Sequence, residues 1–192
     1  MTMDLDARTT ALVVIDLQRG IVSRDTKPHS AADVVARCAR MASRFRELRG
    51  TVVLVNVAYS ADDGDRLTPM TDAPPPVSGP LPPDWSELVP ELEQSPHDIL
   101  ITKHQWGAFY GTELDLQLRR RNVRSIVIGG IATNFGVEST ARDAWERNYQ
   151  IYFAEDAMAG MSAEAHEFAI RNIFPRIGLV RSTEDVLAAL KS

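Results

Sequence analysis

SIVIGGIATNFGVESTARDAW, residues 125–145, decides the fold of this chain. Ile126, Val127, Ile128 and Ile131 are β-branched and apolar and bracket Gly129-Gly130. Such residues suit a pleated strand buried on both faces. From Val137 the apolar spacing lengthens to that of a helix, through Ala141, Ala144 and Trp145. A strand that runs through a glycine turn into a helix is expected, with the helix beginning near Gly136. Such a junction presents backbone N–H groups at a concave edge, which suits an anion or a polarised carbonyl.

The same alternation extends in both directions. Apolar runs of strand length occupy residues 11–15, 51–57, 99–101, 125–128, 150–154 and 177–180, and helical spacing occupies 31–48, 113–121, 137–147, 163–173 and 183–190. Continuous apolar strands separated by helices predict an α/β fold, a three-layer α/β/α sandwich around a mostly parallel six-stranded sheet. In such sheets the ligand crevice lies at the carboxyl ends of the strands. At 192 residues with 44% hydrophobic content, residues 1–192 fit a single domain. One segment breaks the rhythm. Of the 11 prolines, those from Pro69 to Pro96, including Pro74-Pro75-Pro76 and Pro82-Pro83, crowd the stretch between the second and third strands. An extended arm or lid at about 60–98 is expected, over the site or against a second subunit, with Trp85 as its anchor; a surface loop without a role would carry the same composition.

Charge and composition remove several classes of function. A net charge of -5 disfavours nucleic acid as a partner. The basic run Arg119-Arg120-Arg121 follows an apolar-periodic segment, as expected of a solvated helix C-terminus. No apolar stretch reaches membrane-spanning length, and MTMDLDARTT lacks the basic-then-apolar form of a signal peptide, so no membrane association and a cytoplasmic location are expected. The one cysteine, Cys38, cannot form an intramolecular disulfide. It shares a helical apolar stripe with Val34, Met41, Phe45 and Leu48, which predicts an inert core thiol rather than a nucleophile.

Two charged residues sit at expected carboxyl ends of strands. Asp16 closes ALVVID, with Gln18 two residues on, and a carboxylate there either serves the crevice or caps a turn. Lys103 closes ILITK, where it could bind an anion, hold the aspartate ionised or simply be solvated. Trp106, Phe109 and Tyr110 follow in the GAFYGT turn, placed to line a pocket or to pack in the core. His29, His97, His104 and His166 are scattered rather than paired at ligand spacing, so no metal site is expected; His104, next to Lys103, could touch substrate or be structural. Glu138 and Arg142 stand four apart and could pair on a helix surface.

Taken together, ALVVIDLQ, ITKHQWGAFYGTEL and GGIATNFGVESTARDAW, in that order, resemble the signature segments of the isochorismatase-like hydrolases, the cysteine hydrolase superfamily. The likeness continues through AEDAMA and SAEAH and spans nearly the whole chain. It implies Asp16 as the acid/base residue, Lys103 as its charged partner and Gly136 at the position of the family's nucleophilic cysteine. It also implies a non-proline cis peptide between Ile131 and Ala132, facing an oxyanion; the expected substrate-binding residues are Gln18, Trp106, Phe109, Tyr110, Ile131 and Ala132. A side-chain-free position 136 closes the acyl-enzyme route used by nicotinamidases and carbamoyl-amide hydrolases. True isochorismatases also carry glycine there and hydrolyse a vinyl ether by protonating an alkene carbon, which needs a general acid but no thiol.

The expected function is therefore hydrolysis of a small anionic molecule by an Asp/Lys pair, without a cofactor and, by resemblance, in a homo-oligomer. No carboxylate-binding arginine is evident near the three motifs, which leaves isochorismate itself as one candidate among several. A catalytically silent binding or assembly protein that keeps the fold is the alternative. A flavodoxin-like or dinucleotide module shares the sheet class, but DLQRG follows the first strand where G-x-G-x-x-G would be required.

Overall fold

Every residue of strand β2 (Thr10–Ile15) is buried, because β2 lies between β3 (Thr51–Val57) and β5 (Ser125–Ile131) and is covered on both faces. The computed structural model describes residues 4–73 and 79–192; the expected extended run Pro74-Pro75-Pro76 falls outside the described residues. Around β2 the sheet runs β4-β3-β2-β5-β6-β7, with β4 at Ile99–Lys103, β6 at Gln150–Ala159 and β7 at Leu179–Arg181. All five pairings are parallel. The chain thus starts in the middle of the sheet, builds outward to β4 and returns across β2 to β5. That reversal opens a crevice at the carboxyl ends of β2 and β5.

Two apolar clusters flank the sheet. Leu12 and Val14 enter one, with Val34, Cys38, Met41 and Phe45 of α2 (Ala31–Glu47) and Val186 of α7 (Thr183–Ala189). Ala11, Val13 and Ile15 enter the other, with Leu114 and Leu118 of α3 (Leu114–Arg120) and Ala141 and Ala144 of α4 (Glu138–Glu146). Alternation along a strand splits its side chains between the two faces, which yields the three layers. Helix α2 starts where Ser30 accepts the Asp33 backbone N–H at 3.1 Å, an N-cap that satisfies one of the helix's free donors. Short helices α1 (Arg19–Val22), α5 (Ala163–Phe168) and α6 (Phe174–Ile177) complete the framework. A two-stranded parallel ribbon pairs β1 (Leu5–Asp6) with β8 (Leu190–Lys191).

Three sequence expectations change. β5 does not turn at Gly129-Gly130 but continues through both to Ile131. Gly130 has φ 123°, and a Cβ there would lie 2.1 Å from the Ile15 carbonyl, so only glycine lets β5 pass this close to β2. Trp145 faces outward at 54% exposure, leaving Val137, Ala141 and Ala144 as the buried stripe. β4 alternates buried and exposed residues instead of being buried on both faces, because it is a sheet edge.

The proline-rich segment is anchored to its own chain at its distal end. Leu88 pairs with Gln18 in an antiparallel bridge, and Arg19 and Gly20 donate backbone N–H groups to Glu87 and Trp85. Trp85 is buried and lies so close over Gly20 that a Cβ there would meet its ring at 2.0 Å.

Candidate active site

Asp16 is the first residue past β2, and its backbone N–H still bonds Val55 at 2.9 Å. Its φ of 54° breaks the extended run at the crevice, a conformation that aspartate tolerates better than most residues. Lys103 ends β4 in register with Val57 of β3. Its side chain is 1% exposed, and Nζ donates to Asp16 Oδ2 at 2.8 Å and to the Trp106 carbonyl at 2.6 Å. The other carboxylate oxygen, Asp16 Oδ1, is buried and has no protein partner. Burial pushes the Asp16 carboxyl up to about 6, against the pull of the Lys103 ammonium. The site thus holds a carboxyl poised near neutrality with one oxygen committed and one available.

Gly136 completes the triangle. A Cβ on it would lie 3.0 Å from Asp16 Oδ2, 3.0 Å from Ile15 Cγ2 and 3.1 Å from Lys103 Nζ. The turn that carries it is a single π-helical turn, Thr133–Val137, leading into α4. The Ile131–Ala132 peptide before it is cis. Two N–H groups of the turn, those of Phe135 and Val137, are already taken by the Ala132 carbonyl at 3.1 and 3.2 Å. Two buried hydroxyls hold the turn in place. Thr140 donates to the Gly136 carbonyl at 2.7 Å and accepts the Ala108 N–H at 3.1 Å, tying the turn to the segment after Lys103. Thr133 Oγ1 meets His166 Nδ1 at 2.8 Å, and burial holds that imidazole below its usual range.

The sequence-derived neighbours divide into two groups. Trp106 and Tyr110 are exposed, and the Trp106 ring meets Phe135 of the turn edge-on at 4.9 Å between centroids, forming an aromatic rim. Phe109 instead is buried in the second core cluster, 5.9 Å from the Tyr149 ring. Gln18 is buried too, and both ends of its amide serve the backbone. It accepts the Val57 N–H at 2.8 Å and donates to the carbonyls of Val57 and Trp85 at 3.0 and 3.1 Å. Its place is to lock the proline-rich segment beside the site. His104 also serves the backbone, with Nδ1 2.6 Å from the Ala58 carbonyl. Cys38 lies in the core with its thiol pushed by burial up to about 12, and Glu138 pairs with Arg142 at 2.9 Å.

Two residues near the site escaped the sequence reading. Tyr59, just beyond β3, stacks on Trp85 with centroids 6.3 Å apart. Burial, with a further contribution from the Asp16 carboxylate, holds its hydroxyl above the usual range, so the ring lies within electrostatic reach of Asp16. Arg66 lies over that ring, its guanidinium carbon 5.3 Å from the centroid. The same arginine pairs with Asp63 at 3.9 Å within the loop after β3. Its signal in sequence is only that VNVAYSADDGDRL leaves the carboxyl end of a central strand.

Asp16, Lys103 and Gly136 meet beside the reversal point of the sheet. The isochorismatase domain profile matches residues 10–185. The chain belongs to the isochorismatase family. This family consists of hydrolases, and the chain is one of them. It is 50% identical to the isochorismatase family protein YecD of Escherichia coli O157:H7, over 98% of this chain and 100% of that protein. It is 31% identical to a ureidoacrylate amidohydrolase, RutB of Methylorubrum extorquens, over 97% of this chain and 85% of RutB. An isochorismatase family protein from Burkholderia thailandensis has the same fold, with a TM-score of 0.95 at 47% identity and full coverage of both chains. Among the described residues of this family member, no group of three or more His, Cys, Asp or Glu side chains is placed to hold a metal ion, and no helix is long and apolar enough to cross a membrane.

Proposed function

We propose that this family member hydrolyses a small anionic substrate by proton transfer from Asp16, without a covalent enzyme intermediate. The observation that carries the proposal is a buried carboxyl raised to about 6, whose Oδ1 has no protein partner and whose Oδ2 lies beside a position that has no side chain. A carboxyl raised toward neutrality is suited to donate a proton at physiological pH. A nucleophilic route would need a thiol at the turn, and Cys38 is sealed in the core. Vinyl-ether hydrolysis is the chemistry that these groups support best. Asp16 protonates the alkene carbon, the ether oxygen stabilises the resulting cation, water adds to it, and the hemiketal collapses to an alcohol and a ketone. The proton lost by the attacking water restores Asp16. Lys103 keeps the carboxyl oriented through Oδ2 so that Oδ1 faces the substrate. The Trp106–Phe135 rim supports a substrate that is flat.

Amide cleavage, the reaction named for RutB, is the competing chemistry and is less well served where position 136 is glycine. A panel of small vinyl ethers, amides and esters, assayed for product by mass spectrometry in D2O, tests the proposal. The expected result is turnover of a vinyl-ether acid with one solvent deuteron delivered to the former alkene carbon, and loss of turnover in Asp16→Ala. Turnover of amides alone, or unchanged turnover in Asp16→Ala, would overturn it.

A further inference from the structure

A second cleft lies away from this site. It is a cleft of about 670 Å³ whose lining includes Arg8, Arg46, Arg49, His97, Asp98 and Arg121, within the size range of small-molecule sites. It lies at the opposite edge of the sheet. Its lining also includes Thr51, the first residue of β3, whereas Val57, the last, is in register with Lys103. Six strand steps separate the two edges, about 20 Å at roughly 3.3 Å per residue. The cleft is strongly basic in a protein whose net charge is -5.

Two of its arginines are locked. Arg46 bonds both oxygens of the buried Asp98 carboxylate, at 3.1 and 2.7 Å, and the Leu92 carbonyl at 3.1 Å. Arg8 grips Asp6 at 3.0 and 2.9 Å. The other two have no acidic partner among the described residues. Arg121 bonds only the carbonyl and side chain of Gln117, and the Arg49 guanidinium has no partner among the described residues. Helices α2 and α3 both end here, and their carbonyl ends account for some of the basic charge. Each helix end is equivalent to about half a charge, so two guanidiniums exceed what the dipoles balance by about one unit.

The backbone of Arg49 adds a second, independent observation. It takes φ 57° just past the α2 cap, the left-handed position that glycine usually fills where helices end this way. An arginine that lines the cleft thus stands at a position that favours glycine. A neighbouring groove of about 380 Å³ shares His97, Asp98 and Arg121 and adds Glu113, which suits an anion less well than the first cleft.

We propose that this cleft is a second binding site, for a compact multiply charged phosphate such as a pyrophosphate or a phosphate ester, held by Arg49 and Arg121 with Arg8 and Arg46 behind them. Guanidinium forks bind phosphate oxygens in pairs, and charge-assisted bonds of this kind are the strong ones. Calorimetric titration of the whole protein with inorganic pyrophosphate, at constant ionic strength, tests the site. Saturable binding is expected, weakened about tenfold in Arg49→Gly and more in Arg49→Gly/Arg121→Gln, in line with the loss of one and two charge-assisted contacts. Arg49→Gly also relieves the left-handed backbone, so its thermal midpoint should stay level or rise, which separates lost binding from lost folding. Binding should be unaltered in Asp16→Asn, since the catalytic edge is remote. Three results would each overturn the proposal: no saturation in the unmodified protein, equal affinity in the arginine variants, or citrate binding as tightly as pyrophosphate.

Discussion

Replacing Gly136 with alanine adds one methyl group at the point where Asp16, Lys103 and Ile15 converge. The new Cβ would lie 3.0 Å from Asp16 Oδ2 and from Ile15 Cγ2, and 3.1 Å from Lys103 Nζ. All three contacts are tighter than ordinary van der Waals separation, and none involves the free end of a mobile surface chain. Overpacking a methyl into a filled site costs about 1–3 kcal/mol. In a helical turn, alanine recovers about 1 kcal/mol relative to glycine. The net cost is then roughly 0–2 kcal/mol, and at about 2–4 °C per kcal/mol for a chain of this size the midpoint should fall by no more than about 8 °C. The effect on catalysis should be far larger. Relief of the crowding requires the carboxyl or the ammonium to move, and a displacement of about 1 Å in a catalytic group is enough to cost about a hundredfold in rate. Steady-state turnover on the active vinyl ether, beside calorimetric unfolding of the same preparation, measures both quantities. If Gly136→Ala kept full kcat/KM, the space that Gly136 leaves beside Asp16 and Lys103 would not be where substrate reacts, and the reasoning would fail.

Three further outcomes follow from individual contacts. Thr140→Val removes the hydroxyl that joins the Ala108 N–H to the Gly136 carbonyl; an unpaired buried donor costs about 1–3 kcal/mol, so the unfolding midpoint and kcat should both fall. The Cys38 thiol, raised by burial to about 12, should be inert to a thiol reagent at pH 8 until the protein is unfolded, and fast labelling of the native state would contradict its core placement. The imidazole of His166 is lowered, so the fold favours its neutral form. That contribution is complete above the ordinary histidine value of 6.5 and is lost as pH falls below it. Denaturant titrations should show stability declining into acid, and His166→Gln should lack that component.

The sequence reveals the parts of this fold that local physics controls. Continuous β-branched runs mark β2, β3 and β5 because central parallel strands are buried on both faces. The edges are less legible. β4 alternates because its outer face meets solvent, and the two-residue strands β1 and β8 exist only because the ends of the chain meet. Gly129-Gly130 reads as a turn locally, yet the requirement it meets is the close approach of β5 to Ile15, a long-range contact. At the site, Asp16 and Lys103 are visible as charges ending apolar strands. Phe109 and Gln18 sit at the right place in sequence but face the core and the backbone, a distinction that depends on side-chain direction. Tyr59 and Arg66 stay hidden because an irregular loop brings them against Trp85 and each other, and loops carry no periodicity to reveal which side they face.

The most direct measurement is the pH dependence of kcat/KM between pH 5 and 9. The folded carboxyl of Asp16 stands near 6, above its ordinary value of 3.8, so its protonated form dominates below that pH and declines above it. If Asp16 donates the proton, kcat/KM should be highest near or below pH 6 and fall about tenfold per pH unit above it, with turnover lost in Asp16→Asn. A profile that instead rises through pH 6 to a plateau would show that the ionised carboxylate is the working form, and would contradict proton donation by Asp16.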